Sequence, residues 1–477
     1  MEEFKAREIS ANVHEIEGKG VPVRIYANNA IFEAMKRDRT IMQALNASSL
    51  PGMVKAMLVM PDGHEGYGFP VGGVAAFDAD SGIISPGAIG FDINCGVRLI
   101  RTNLDFKEVE AKKSELMDEL FKNVPSGVGV KSSLKFSPLD LENIAMEGAD
   151  YAIEKGYGNK EDLEFIEEGG SMLGADTKQV SDLAKKRGLH ELGTLGAGNH
   201  FLEVQKVDKV FNEDAAKAFG LHEGQAVVML HSGSRGYGHQ ICSDYLDRLS
   251  EYQRRNSIKL PDPELAFAFI GSREAEQYIM AMKAAVNYAF ANRQVMTAMV
   301  RKSFEKVFSR SQDSMGMDVV YDVAHNIAKL EEHYVDGKRV KLYVHRKGAT
   351  RAFAKNINGI PNAYMHTGQP VLIPGSMGTA SYVLVGTEKA MQETFGSSCH
   401  GSGRSMSRHQ AIKDIPAAQT FDALSKKGVE VRVRNKKLIS EEAMEAYKNV
   451  DEVISSMEGA GLADAVARMI PIGVAKG

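Results

Sequence analysis

The chain has 477 residues, 43% of them hydrophobic and 25% charged, with a formal net charge of −4. That is ordinary globular composition with enough length to bury a sizeable core, which excludes a mainly disordered chain and a disulfide-stapled miniprotein. The small net charge excludes a uniformly basic nucleic-acid coat, although a local basic groove can still contact phosphates.

Predicted strands lie at 73–78, 97–103, 226–231, 317–325, 341–345 and 370–374, where runs rich in Val, Ile and Tyr end in Gly, Ser, Asn or Pro. Predicted helices lie between them at 107–123, 141–155 and 180–187. The longest, 272–308, is rich in Ala and Met and has no Gly or Pro from 273 to 309. Its Met280, Met282, Met296 and Met299 read as core packing rather than a ligand stripe. Its basic end, 301–310, reads either as a solvated face or as a strip along a phosphate backbone. No internal repeat, low-complexity segment or long linker divides the chain. Strands and helices interleave without strict βαβ alternation, so the expected fold is α+β, one domain over 1–477.

The cysteines, Cys95, Cys242 and Cys399, are too few and too scattered for a disulfide framework and point to a reducing compartment. The start, MEEFKAREIS, has acidic residues and no apolar core, so no signal peptide is expected. No apolar run reaches the roughly 18 residues of a membrane span. A cytoplasmic location is expected.

The chemistry-bearing segments cluster where a strand pattern meets a Gly-rich loop, where rigid elements hold reactive groups. In Gly90-Phe91-Asp92-Ile93-Asn94-Cys95-Gly96, a carboxylate and a thiol three residues apart can converge on one cation. Such a mixed pair fits Mn²⁺, Zn²⁺ or Fe²⁺, while the plainer reading is a buried free Cys beside a turn Asp. Three histidines occupy similar places: His200 after Gly196-Ala197-Gly198-Asn199, His231 before Ser232-Gly233-Ser234-Arg235, and His325 after Asp322-Val323-Ala324. One such histidine alone is more often a hydrogen-bonded structural residue. Together with Asp92 and Cys95 they suggest a dispersed catalytic metal site.

A further loop, Ser397-Ser398-Cys399-His400-Gly401-Ser402-Gly403-Arg404, continues through Ser405-Met406-Ser407 to Arg408. Backbone N–H groups of such a loop cradle anions, and arginines pair with phosphate. His400 reads as a metal ligand, a general acid or a nucleophile. Met60-Pro61-Asp62-Gly63-His64 is either a plain turn or a device that positions Asp62 and His64 at the site. The Gly- and Ser-rich run 373–381 offers hydroxyls and backbone donors for a nucleotide, and His345-Arg346-Lys347 adds positive charge. A P-loop, H-E-x-x-H, G-x-S-x-G, a strand–G-x-G-x-x-G–helix unit and the K-x-D-G of lysine-nucleophile ligases are all missing.

Taken in order, these motifs resemble the RtcB family of RNA ligases, through 60–77, 92–101, 195–204, 231–239, 322–325, 345–353, 373–386, 399–408 and 471–477. The resemblance implies β-sheets surrounded by helices, with a central metal and nucleotide pocket. It implies an enzyme that joins RNA 2′,3′-cyclic phosphate or 3′-phosphate ends to 5′-hydroxyl ends, in tRNA splicing or RNA repair, using GTP and two Mn²⁺ ions. His400 would carry GMP and pass it to the RNA 3′-phosphate. Cys95 would bridge the metals; His200 and His231 would complete one site, and Asp92, His325 and His231 or a neighbour the other. Asn199, Glu203, Ser376, Ser381, Gly403, Tyr447 and Lys476 would join His400 around the guanylate. Lys476 is penultimate, where a side chain is normally frayed, so its role rests on the resemblance. Arg235, Lys347 and Arg408 are the candidates for RNA phosphate contacts, from charge and motif position. Ser402 stands where Ala is expected in many members; both are small. Broken RNA ends are the implied partner, with an archease activator, no membrane and a monomeric state expected. The alternative is a metal-dependent RNA-end phosphodiesterase that uses no GTP.

Overall fold

Apolar runs with period two, or apolar throughout, form strands that bury one face or both, and here they assemble into two large sheets. The computed structural model describes residues 4–477. A seven-stranded sheet runs in the order Ala6–Ser10, Val13–Ile16, Val23–Tyr26, Met57–His64, Val71–Asp78, Lys338–Lys347, Asn326–Val335. An eight-stranded sheet runs Val319–Ala324, Gly96–Asp105, Gln225–Ser232, Phe201–Val210, Ala463–Lys476, Ser381–Gly386, Pro370–Ile373, and Glu430–Val433 pairs in parallel with the far end of Ala463–Lys476. Every predicted strand is present, with its ends moved by a few residues. Mixed helices and sheets without βαβ alternation make the fold α+β, as expected.

Gln225–Ser232 is buried along its whole length because the sheet is covered on both faces. Its residues alternate between two cores. Ala226, Val228 and Leu230 pack with Met296, Met299 and Phe304 of the long helix, while Val227 and Met229 pack with Phe219 and Val383. At the strand's end, the same alternation sends His231 to one side and Ser232 to the other.

The long helix is Arg273–Phe308, 36 residues. Ser272 caps it by accepting from the Ala275 N–H at 3.3 Å. It ends where Ser309 turns left-handed, at φ 53°. Met282, Met296 and Met299 are buried in the core, and Met280 is half-buried. The middle also buries Asn287, Asn292, Arg293, Gln294, Thr297 and Arg301. Its basic end is not a free cationic strip. Arg301 makes a two-pronged pair with Asp162 at 2.7 Å, and Lys306 and Arg310 pair with Glu119 and Glu108.

The expected helix 107–123 is two helices, Phe106–Ala111 and Lys113–Asn123. The expected helix 141–155 is also two, Pro138–Glu147 and Ala149–Glu154. They part at Gly148, whose φ of 67° and ψ of −134° suit glycine alone. Among the described residues, no helix is long and apolar enough to cross a membrane.

The largest departure from the sequence reading is Ala463–Lys476, a 14-residue strand that the sequence pattern did not announce. It pairs with Phe201–Val210 on one edge and with Ser381–Gly386 and Glu430–Val433 on the other. Lys476 lies opposite both Phe201 and Val433, so the penultimate residue is held in a ladder and buried rather than frayed.

A Cβ at position 148 would come within 2.2 Å of the Gly170 carbonyl oxygen. Gly148→Ala therefore combines a forbidden backbone conformation with a backbone clash. It is expected to cost about 2–5 kcal/mol, read as a lower midpoint of urea unfolding. An unchanged midpoint would show that the break between these helices is not held by glycine.

Candidate active site

Strand register brings the metal-type donors together. Val97 and Phe201 both lie opposite His231, and Gly96 lies opposite Ala324. Cys95, His200 and His325 each sit one residue outside a strand end of this group, so all converge on His231. Cys95 Sγ lies 3.3 Å from His200 Nε2 and 3.3 Å from His231 Nε2. His231 Nε2 lies 3.2 Å from His325 Nε2, and His200 Nε2 lies 2.8 Å from Asp92 Oδ2. Two donor sets result: Asp92, Cys95 and His200, and Cys95, His231 and His325. Cys95 is common to both. His231 groups with His325, as one branch of the partition drawn from the resemblance had it, while Asp92 groups with His200 rather than with His325. The reason is that His325 follows the strand beside Gly96, while Asp92 folds back toward His200.

The loop before Cys95 is shaped for this purpose. Asn94 is left-handed at φ 57°, a conformation Asn tolerates, and its N–H donates to the Asn326 carbonyl at 2.7 Å. Gly233 lets backbone approach the Asp92 carboxylate: a Cβ there would lie 2.5 Å from both carboxylate oxygens. Burial raises the Asp92 carboxyl, but the hydrogen bond and charge of His200 outweigh it and hold it well below the usual range. Burial, then neighbouring histidines, push His231 and His325 far down, so both imidazoles are neutral with lone pairs available. Burial and the Asp92 charge push the Cys95 thiol up. Carboxylate, imidazole and sulfur lone pairs facing one another at such distances fit a bound divalent cation, in each set.

His400 stands beside them, its ring centroid 5.0 Å from that of His325. It follows the short strand Ser397–Cys399, which pairs with Ala349–Arg351. Its Nδ1 lies 2.5 Å from Asp62 Oδ2. The same oxygen accepts from the backbone N–H of His400 at 2.8 Å and of Gly401 at 3.2 Å. Burial raises the Asp62 carboxyl, but the His400 charge and these contacts lower it below its ordinary value. With Nδ1 turned to Asp62, Nε2 is the ring nitrogen left for chemistry.

A cleft of about 260 Å³ opens on this face. Of the expected guanylate residues, Asn199, Ser376, His400, Gly403, Tyr447 and Lys476 line it. Glu203 and Ser381 do not; they are buried behind the wall, where Gln205 Nε2 donates to Glu203 Oε2 at 2.7 Å and to Ser381 Oγ at 3.0 Å. Burial pushes the Glu203 carboxyl up to about 8. Glu442 went unnoticed in the sequence, yet it gathers the far wall: Lys476 at 3.2 Å, Arg404 at 3.2 Å, and the Tyr447 hydroxyl, which donates to it. No local motif surrounds Glu442, so only tertiary contact identifies it.

A second cleft of about 410 Å³ adjoins Asp92 and His200. Arg235 and Arg408 line it, together with Arg187 and His239. Arg408 and Asn199 line both clefts. Lys347 is placed differently. It is buried in the first cleft's wall, and its Nζ donates to the Tyr67 and Phe69 carbonyls at 2.6 and 2.8 Å. Burial pushes its ammonium down to about 7.

A family model described as tRNA-splicing ligase RtcB matches residues 43–477. A tRNA-splicing ligase RtcB of Thermococcus kodakarensis is 57% identical over 96% of this chain and 95% of its own length. One of Archaeoglobus fulgidus is 53% identical over the same shares, and one of Nanoarchaeum equitans is 50% identical over the full length of both. The chain belongs to the RtcB family.

Proposed function

We propose that this chain is an RNA ligase of tRNA splicing, which joins a 3′-phosphate or 2′,3′-cyclic phosphate end to a 5′-hydroxyl end with GTP and two Mn²⁺ ions. The observation that carries the reading is His400, held through Nδ1 by buried Asp62 at 2.5 Å, beside two donor sets that share Cys95. The names of the relatives, tRNA-splicing ligases at 50–57% identity, support the same activity.

On this reading, His400 Nε2 attacks the α-phosphorus of GTP. An N–P bond forms, the bond to the bridging oxygen breaks, and pyrophosphate leaves. Asp62 keeps the proton on Nδ1 and balances the positive charge that grows on the ring. An oxygen of the RNA 3′-phosphate then attacks the same phosphorus, and Nε2 leaves as a neutral imidazole. The 5′-hydroxyl finally attacks the RNA 3′-phosphorus, forming the phosphodiester and releasing GMP. A cyclic end is first opened by water to the 3′-phosphate. Two divalent ions, held by Asp92, Cys95 and His200 and by Cys95, His231 and His325, would neutralise phosphate charge and orient the attacking groups.

The guanylate would lie along Asn199, Ser376, Gly403, Tyr447 and Lys476, with Glu203 and Ser381 reached from behind the wall. The RNA would follow Arg235 and Arg408. Lys347 is the weaker candidate, since two of its donors already serve backbone carbonyls. The same reading carries a cytoplasmic monomer with an archease-type activator.

Incubation with α-labelled GTP and Mn²⁺ tests the covalent step. Acid-labile label is expected on the wild type and none on His400→Ala. Asp62→Asn is expected to slow labelling by about 10²-fold or more while the protein stays folded. No label on the wild type with any divalent ion would sink the GTP step and favour a phosphodiesterase.

Metal content gives a separate check. Because Cys95 belongs to both donor sets, Cys95→Ala is expected to lower Mn²⁺ content at both, and to abolish labelling in a soluble protein. His325→Ala removes a donor from one set only and is expected to leave one ion. A Cys95→Ala protein that labels normally would overturn the metal assignment.

A further inference from the structure

The chemistry above uses donors at strand ends but leaves the long helix beneath them without a part. Arg293, in the middle of Arg273–Phe308, is fully buried. Its Nη1 donates to the Asn94 carbonyl at 2.8 Å and to the Ser232 carbonyl at 2.9 Å. Its Nε and Nη2 donate to the Asp322 carboxylate at 2.8–3.0 Å. Asn94 immediately precedes Cys95, Ser232 immediately follows His231, and Asp322 lies on the strand that leads into His325. The three chain segments gathered by this one guanidinium are the three that carry one donor set, Cys95, His231 and His325.

We propose that Arg293 is a positioning residue for that donor set. It bridges the three segments from behind and so fixes the separations among Sγ and the two Nε2 atoms. Its own N–H groups go to backbone oxygens and Asp322, so it is neither a ligand nor a catalytic residue. Arginine suits the task because a planar fork of five donors reaches two carbonyls and a carboxylate at once, which a lysine ammonium cannot do. The other set is braced differently. His200 Nδ1 contacts the Leu195 carbonyl at 2.9 Å, and the Asp92 carbonyl accepts from Asn326 Nδ2 at 3.1 Å. Loss of Arg293 therefore acts on one ion more than on the other.

The proposal rests on the two-metal reading above. The test is a Co²⁺ titration of the metal-free full chain, followed by the sulfur-to-cobalt charge-transfer band and the d–d bands. Wild type is expected to take up two ions. Arg293→Met is expected to keep one and to bind the second about 10–100-fold more weakly, with an altered d–d spectrum. Arg301→Met is the control. Arg301 is also buried on this helix, but its bonds go to Asp162 and to the Met317 carbonyl rather than to the donor loops. It is expected to lower the unfolding midpoint while both Co²⁺ ions bind as in wild type. If the two variants behave alike, or if folded Arg293→Met binds two ions normally, the positioning role is overturned. Should Arg293→Met fail to fold, Arg293→Lys, which keeps the charge but cannot span the segments, carries the same expectation and the same overturning result. A wild type that takes up fewer than two ions would instead overturn the two-metal reading itself.

Discussion

Asp322 has no exposed surface and lies between two guanidiniums, Arg98 at 2.7 Å and Arg293 at 2.8 Å. Burial raises its carboxyl, but the two arginine charges outweigh that and hold it ionised. A buried carboxylate so matched is nearly neutral in its net contribution to stability; removing one partner typically costs about 3–5 kcal/mol, because a charge is then stranded. What the arrangement contributes is specificity of position. Arg98 lies directly opposite Asp322 across the strand pair, so the ion pair sets the register of Val319–Ala324 against Gly96–Asp105. A slip of one residue would break it and would also turn every side chain of the strand to the wrong face. The register in turn decides that Cys95 and His325 leave their strands side by side.

Two clefts meet at the strand ends so aligned. One is lined by His400 and the Glu442 cluster, the other by Arg187, Arg235 and Arg408. Their shared wall is Asn199 and Arg408, and the donor sets lie beneath it. A ligase must hold two RNA ends within bonding reach, and two clefts that meet beside one group of donors suit that need by proximity. Basic residues line both clefts, Lys347, Arg404, Arg408 and Lys476 in the first and Arg187, Arg235 and Arg408 in the second, although the whole chain is slightly acidic. Positive charge is placed locally here, which is why net charge carried no information about it.

The parts legible in the sequence are those whose chemistry is local. Val- and Ile-rich runs gave the strands, and Gly-flanked Asp92, Cys95, His200, His231, His325 and His400 stood out because loops at strand ends need glycine where backbone and ligand come close. Ala463–Lys476 was not legible, because its Ala, Pro and Gly residues have poor intrinsic strand preference and only pairing on both edges makes them a strand. For the same reason the resemblance could name Lys476, but its burial within a strand was not legible. The grouping of donors was hidden for a different reason: which histidine meets which depends on strand order, Val319–Ala324 beside Gly96–Asp105, and order is not written in any local pattern. Arg293 and Glu442 lie in ordinary-looking stretches. A charge inside an Ala- and Met-rich helix reads as its solvent face until burial shows otherwise.

The placement of His400 has its own source, and it links the two walls of the first cleft. Asp62 lies on the strand Met57–His64, and both of its flanking carbonyls, Pro61 and Gly63, accept from Lys448 Nζ. Lys448 immediately follows Tyr447, whose hydroxyl reaches Glu442. Its N–H donates to the Gly403 carbonyl at 2.9 Å. The segment that lines this cleft therefore also braces the strand that carries Asp62 to His400. Burial pushes the Lys448 ammonium down to about 8, so the brace is made by a charge that folding holds against its own preference.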